Sequence, residues 1–158
     1  MKSILIGLIG AVALTGCVHP QVEKHRNDSS KPIVITNYFQ IPPNTAGGVN
    51  LSVTAYNMVD KQIKYFDFWT NHYDRVGERQ RDTITGQYSK GYRFTGPFSK
   101  EQVLNGRFGP SFYNFGADCM TLTKVIITYM DNSTLELVGK SLDEVVVLGG
   151  VKCRNLRS

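Results

Sequence analysis

The chain has 158 residues, a formal net charge of +5 and 41% hydrophobic residues, which suits one ordinary domain with a real core. Its basic residues form no block: Lys61, Lys64, Arg75, Arg79, Arg81, Lys90 and Arg93 are interspersed with Asp and Glu, the pattern of a solvated surface, which argues against a nucleic-acid partner. The three cysteines include no Cys-x-x-Cys pair and the histidines are only His19, His25 and His72, which argues against a metal centre, a redox centre or any cofactor.

The N-terminus reads in three parts: Lys2 supplies a positive charge, Ile4 to Leu14 is an apolar run broken only by small residues, and Leu14-Thr15-Gly16-Cys17 follows. A basic start, a short apolar core and small residues before a cut describe a secretory signal, here residues 1–16. The run is too short to span a bilayer, which takes roughly 20 apolar residues. Leu-Thr-Gly-Cys resembles the lipobox of bacterial lipoproteins. That resemblance implies that Cys17 begins the mature chain and carries diacylglycerol on its sulfur and an acyl group such as palmitate on its amine. The competing reading is a plain secretory peptide in which Cys17 is incidental. Val18, where Asp would mark retention, is similar to enterobacterial lipoproteins sorted to the outer membrane, with the domain facing the periplasm or the cell surface.

Residues 17–32 are polar, with Pro20, Asn27, Asp28, Ser29, Ser30 and Pro32, and read as a flexible tether. The domain is expected over residues 33–158. Ile33 to Phe39 is β-branched and aromatic, as strands are, and Pro42, Pro43, Gly47 and Gly48 break it. Val49 to Tyr56 alternates strictly, with Val49, Leu51, Val53 and Ala55 on one face. Gln62 to Trp69 is a dense strand without clean alternation. Asn71 to Gly77 reads as a loop, and Arg79 to Ile84 and Tyr88 to Phe94 as weaker strands. Gly96-Pro97 reads as a sharp break and Lys100 to Ala117 as the least regular region. Met120 to Met130 is a long strand with Val125, Ile127 and Tyr129 on one face. Asp131-Asn132 is a tight-turn pair leading to a hairpin partner over Ser133 to Val138, and Val145 to Leu148 offers a last short strand. With no long helical period after residue 32, about seven to eight short strands predict an all-β, antiparallel Ig-like β-sandwich.

With Cys17 taken by lipid, Cys119 and Cys153 remain. Two thiols in an exported chain suggest one disulfide, closing a loop of roughly 35 residues and worth about 3 to 4 kcal/mol in the chain-entropy model. The other reading is two free buried thiols.

Four stretches carry a family resemblance. Asn57 to Phe68 resembles an N-x-x-x-K-x-I-K-Y-I-x-F strand, and His72 to Glu78 a P-Y-N-A-V-G-D loop. Thr95-Gly96-Pro97 resembles a T-G-P break, and Cys119 to Ser133 a C-V-x-L-x-K-I-x-V-x-Y-M-D-G-S strand and turn. In this order, over about residues 33 to 140, they are similar to bacterial Ig-like domains of the FxLYD-like kind. The resemblance implies an Ig-like sandwich without known catalytic residues. The chain departs from the pattern at Asp74 and Arg75, which make the loop more charged, and at Asn132, which replaces Gly but tolerates the left-handed conformation of a turn.

Little in the sequence points to chemistry. His72 stands alone beside Asp74 with no nucleophile signature around it and reads as a surface loop residue. Asp131-Asn132-Ser133 lacks the later acid that a calcium loop needs. Two stretches are candidates for binding a partner. One is aromatic, with Phe98, Phe108, Phe112, Tyr113 and Phe115 among Gly and Asn; exposed, these would make a partner patch, and buried, they would cover the open end of the core. The other is the charged loop from His72 to Arg81, with His72, Tyr73 and Arg75 as its candidate contact residues. The expected function is a non-enzymatic, outer-membrane-anchored lipoprotein that binds an envelope protein, as an accessory subunit of an envelope complex or an adhesion-type module. The alternative is a small surface or periplasmic inhibitor or exclusion factor acting on an incoming enzyme or phage.

Overall fold

Alternation between buried and solvent-facing side chains builds the strands, and the computed structural model describes residues 19–28, 30–147, 153 and 156. Residues 1–16, read from the sequence as a signal peptide, Cys17 and Leu148 lie outside the described residues. In β2 (Gly48–Asn57) Val49, Leu51, Val53 and Ala55 are buried while Asn50, Ser52, Thr54 and Tyr56 are half-exposed. β1 (Ile33–Ile41) and β6 (Val103–Tyr113) flank it, forming a three-stranded sheet in the order β1-β2-β6. The second sheet is built on β3 (Ile63–Tyr73). One side of β3 pairs with β7 (Cys119–Tyr129), which pairs with β8 (Thr134–Val138); the other side pairs with β5 (Ser89–Phe98) and then the two-residue β4 (Arg79–Gln80). All pairings between strands are antiparallel, and the two sheets face each other as an Ig-like sandwich.

The core lies between the sheets. Leu51, Val53 and Ala55 of β2 and Leu104 of β6 meet Phe66 and Phe68 of β3 and Val125 and Ile127 of β7. Each of these buried side chains larger than Ala55 contributes roughly 1.5–3 kcal/mol relative to exposure. The Asp131-Asn132 turn is as expected: Asn132 adopts φ 63°, and the Asp131 carboxylate accepts from the Ser133 backbone N–H at 2.9 Å.

Five regions differ from the sequence expectation. Pro20–His25, read as part of a structureless tether, is a short helix, α1. Pro20 starts it without losing a needed donor, and His19 Nδ1 accepts from the Gln21 N–H at 3.2 Å. Val22 is fully buried against Val34 and Met58, and the Arg26 guanidinium grips Glu101 through two hydrogen bonds of 2.7 and 3.1 Å. β3 runs on through His72 and Tyr73, where a loop was expected, because both are buried and paired with β7. Lys100 to Ala117 is not irregular: it contains the eleven-residue β6. Gly96-Pro97 does not break its strand but lies inside β5, opposite a register shift between Ile63 and Tyr65 of β3. Finally, Lys140–Val145 is a helix, α2, with Leu142 and Val145 buried, and of the expected last strand Val146, among the described residues, makes a single parallel bridge to Ile35.

Cys119 and Cys153 are disulfide-bonded, with Cα atoms 5.5 Å apart. The bond ties the start of β7 to the C-terminal segment. Replacing both cysteines with Ala is expected to lower the unfolding free energy by about 3 kcal/mol through the restored freedom of the unfolded loop. Guanidinium titrations check this, and an unchanged midpoint would contradict it.

Candidate functional site

One end of the sandwich carries three loops, each shaped by a short polar side chain that hydrogen-bonds the backbone just after it. Asn44 Oδ1 accepts from the N–H groups of Ala46 and Gly48, both at 2.9 Å. Asp74 Oδ1 accepts from Val76 and Glu78 at 3.0 and 2.9 Å, and its other oxygen accepts from Gln80 Nε2. Asn114 Oδ1 accepts from the Gly116 N–H at 2.7 Å, while its amide donates to the Arg81 carbonyl. Asn and Asp suit this task because their side chains mimic a backbone turn. The loops are also tied together, since the Asn114 N–H donates to the Gly47 carbonyl at 2.9 Å.

The loops enclose an open groove of about 390 Å³ whose walls include Pro42, Pro43, Arg75, Val76, Phe115 and Asp118. Phe115 is 71% exposed and Val76 57% exposed. The Phe115 ring lies over Gly47, whose φ is +77° and where a side-chain Cβ would come within 3.2 Å of the ring. Arg75 Nε donates to Asp118 Oδ1 at 3.0 Å across the rim. Both groups are well exposed, so the pair adds little stability and stays free to exchange partners.

Beneath the groove, Ala117 packs with Val49 and Phe112, and His72 stacks on Phe112 with ring centroids 4.0 Å apart. His72 and Thr70 are both fully buried. His72 Nδ1 is 2.8 Å from Gln40 Oε1 and Nε2 is 3.2 Å from the Thr70 hydroxyl, which the tautomer with the proton on Nδ1 satisfies at both ends. Gln40 Nε2 then donates to the Ala117 carbonyl at 2.7 Å. This hydroxyl–imidazole–amide chain is closed to solvent at its hydroxyl and imidazole members and joins the two sheets. Burial holds the His72 imidazole well below its usual pKa of 6.5, at about 4, although the charge of Asp82 acts in the opposite direction. Asp82 is itself desolvated, but the N–H groups of Thr85, Ile84 and Tyr113, with Lys90, outweigh this and keep its carboxyl below the ordinary range.

The two candidate stretches therefore meet at one end, but through fewer residues than expected. Arg75 and Phe115 line the groove together. His72 is no surface loop residue: it belongs to β3 and its ring is sealed inside. Tyr73 is 9% exposed. Phe112 is buried, and Phe108 is enclosed by Phe68, Tyr92 and Phe94 at 5.0 to 5.3 Å between centroids, so neither forms a surface patch. Tyr113 is half-buried, and its backbone carbonyl accepts from the Thr83 N–H and hydroxyl. Sequence reasoning did not single out Pro42, Pro43, Val76 or Asp118; the prolines read only as a strand break. Among the described residues no group of three or more His, Cys, Asp or Glu could hold a metal ion.

The sequence matches no family model and no curated protein. A crystal structure of a hypothetical protein from Peptoclostridium difficile 630 is similar, with 11% sequence identity and a TM-score of 0.49, covering 72% of this chain and 89% of that one.

Because His72 is neutral in the fold, the unfolded chain takes up its proton first as the pH falls. Stability from this residue is complete above about pH 6.5 and is lost as the pH drops towards about 4, a change of about 3 kcal/mol. Urea titrations at neutral pH and near the bottom of that window are expected to show the loss. The His72→Gln variant should be less stable at neutral pH but lack that share of the slope; an unchanged slope would contradict the assignment.

Proposed function

We propose that this chain is a lipid-anchored, non-enzymatic binding domain of the bacterial outer membrane, acylated on Cys17, and that the groove between Arg75, Val76 and Phe115 seats an envelope protein. The observation that carries the reading is the exposed Phe115 beside Val76 on loops already held in shape by Asn44, Asp74 and Asn114. Exposed aromatic anchors dominate binding energetics, and loops ordered in advance lose little entropy on binding. Supporting the anchor are the basic start, the apolar core and the Leu14-Thr15-Gly16-Cys17 tetrad. The resemblance of residues 33 to 140 to FxLYD-like domains, which bring no known catalytic residues, supports binding over catalysis.

The geometry suits an anchored binder. The helix nearest the lipid site packs on Val34, at the start of β1, whereas the groove begins at Pro42, just past its end. Nine residues of β1 span about 26 Å at roughly 3.3 Å per residue, so the groove stands clear of the acylated end.

Two measurements test this. Cys17→Ser is expected to abolish palmitate labelling and move the protein from the membrane to the soluble envelope fraction; retention in the membrane would overturn the anchor. Phe115→Ala is expected to weaken partner capture, read by crosslinking in intact envelopes, by about tenfold or more, while stability changes by no more than about 0.5 kcal/mol. Equal capture by both proteins would remove the groove from the function.

A further inference from the structure

We propose that the outer face of the three-stranded sheet is a membrane-apposed surface, which the acylated N-terminus lays against the phospholipid headgroups; this rests on the acylation of Cys17 proposed above. The first described residue already lies on that face. The His19 ring packs, tilted, against Tyr56 with centroids 5.6 Å apart, and Val22 of α1 covers Val34. Tyr56 and Val34 are cross-strand partners on the side of the sheet opposite the buried Leu51, Val53 and Ala55. One residue, Val18, separates His19 from Cys17, and covalent geometry keeps Cα atoms two residues apart within roughly 7 Å. A helix docked on the sheet therefore replaces the flexible tether expected over residues 17–32 with a very short link, and some surface around Tyr56 must meet the bilayer.

Two surfaces adjoin that point, and charge separates them. The register places Thr54 of β2 and Asn105 of β6 next to Tyr56 on the same face, with Ser52, Phe39 of β1 and Arg107 of β6 one step further along it. Arg107 is the one charged strand residue among them, and no strand residue of the face is acidic. The helix covering its end has Glu23 in its first turn, followed by Lys24, His25 and Arg26. Uncharged amides and hydroxyls can hydrogen-bond headgroup oxygens, Arg107 can meet a phosphate, and tyrosine favours the interfacial depth. The other adjoining surface is the loop end of the sandwich nearest α1. It carries the exposed ion pairs Lys61–Asp131, Lys100–Asp60 and Arg26–Glu101, and pressing these against the headgroups would desolvate or break them. The outer face of the five-stranded sheet carries Asp67 and Glu136 and lies on the far side of the core. In this pose that face and the groove both stay accessible.

The test uses the full lipidated protein in phosphatidylethanolamine–phosphatidylglycerol vesicles containing headgroup-nitroxide lipid. With Cys17 acylated and Cys119 bonded to Cys153, a fluorophore is attached to one new thiol, at Asn105→Cys on the proposed face or Glu136→Cys on the opposite one; both positions are exposed. The expected result is severalfold stronger quenching at position 105, reduced by Arg107→Glu. Equal quenching at the two positions, or stronger quenching at 136, in protein that floats with the vesicles would overturn the orientation while leaving the anchor standing. Fractionation of Cys17→Ser reports on the anchor separately. Strong quenching at 105 in vesicles but none in intact envelopes would show a protein covering the face instead, and would also overturn the proposal.

Discussion

Everything at the groove end depends on the aromatic cluster that clamps one sheet onto the other. Phe66 and Phe68 rise from β3, Tyr92 and Phe94 from β5, and Phe108 from β6, with ring centroids 5.0 to 6.1 Å apart. Such offset and edge-on pairs add about 0.5–1.5 kcal/mol each beyond the area they bury. The chain crosses between sheets at β5–β6, and there Phe94 fills the space a side chain at Gly106 would need, a Cβ coming within 2.6 Å of its ring. Close approach at Gly106 lets Phe108 reach Phe68. Since the Asp74 turn follows β3 of one sheet and the Asn114 turn follows β6 of the other, the groove has a fixed width only while this clamp holds.

A second, polar clamp sits between that cluster and the groove. Thr70, His72 and Gln40 bring three hydrogen-bonding side chains from two sheets into one chain ending at the Ala117 carbonyl. Burying polar groups is costly unless they are satisfied, and among the described residues no buried side-chain nitrogen or oxygen lacks a partner. The demand for partners is directional in a way that apolar packing is not. It sets the relative register of β1 and β3 next to the loops, where the hydrophobic cluster alone would tolerate sliding. The clamp relies on a neutral imidazole, which makes the groove end the acid-sensitive part of the fold.

Legibility in the sequence followed the range of the interaction. The alternation of β2 and of the end of β7, and the left-handed Asn132 turn, are local and were readable. β6 was not, because its inward residues are Leu104, Gly106 and Phe108, and the glycine's role appears only once Phe94 arrives from another sheet. Two extra residues between Phe108 and Phe112, relative to Leu51 and Val49 on β2, further disturb the pattern. His72 misled for a related reason: a histidine next to Asp74 reads as surface when the partners that let it be buried, Gln40 and Phe112, are distant in sequence. Helix α1 was hidden because a single apolar residue, Val22, anchors it, and one residue makes no period. At the groove, the two stretches that contribute Arg75 and Phe115 stood out by composition. Their convergence on one rim is a product of topology, and it also separates Phe115 from Phe108 and Phe112, which point inward.

The placement of α1 alters what an N-terminal lipid would do. On a long polar tether, an acyl anchor limits only distance, and the domain would sample every orientation. With Val22 sealed under Val34 and Met58 and Arg26 held by Glu101, the anchor point would be fixed relative to the sheets, so membrane attachment would also limit orientation. The surface chemistry is graded along the same direction: carboxylates cluster in ion pairs at the loop end and on the five-stranded sheet, and the strand positions beside the anchor point carry none. A domain free to tumble on a leash would gain nothing from that gradient. A domain held close by a docked helix would spare itself the desolvation of its charged loops, and would keep the same groove turned the same way for each encounter along the membrane.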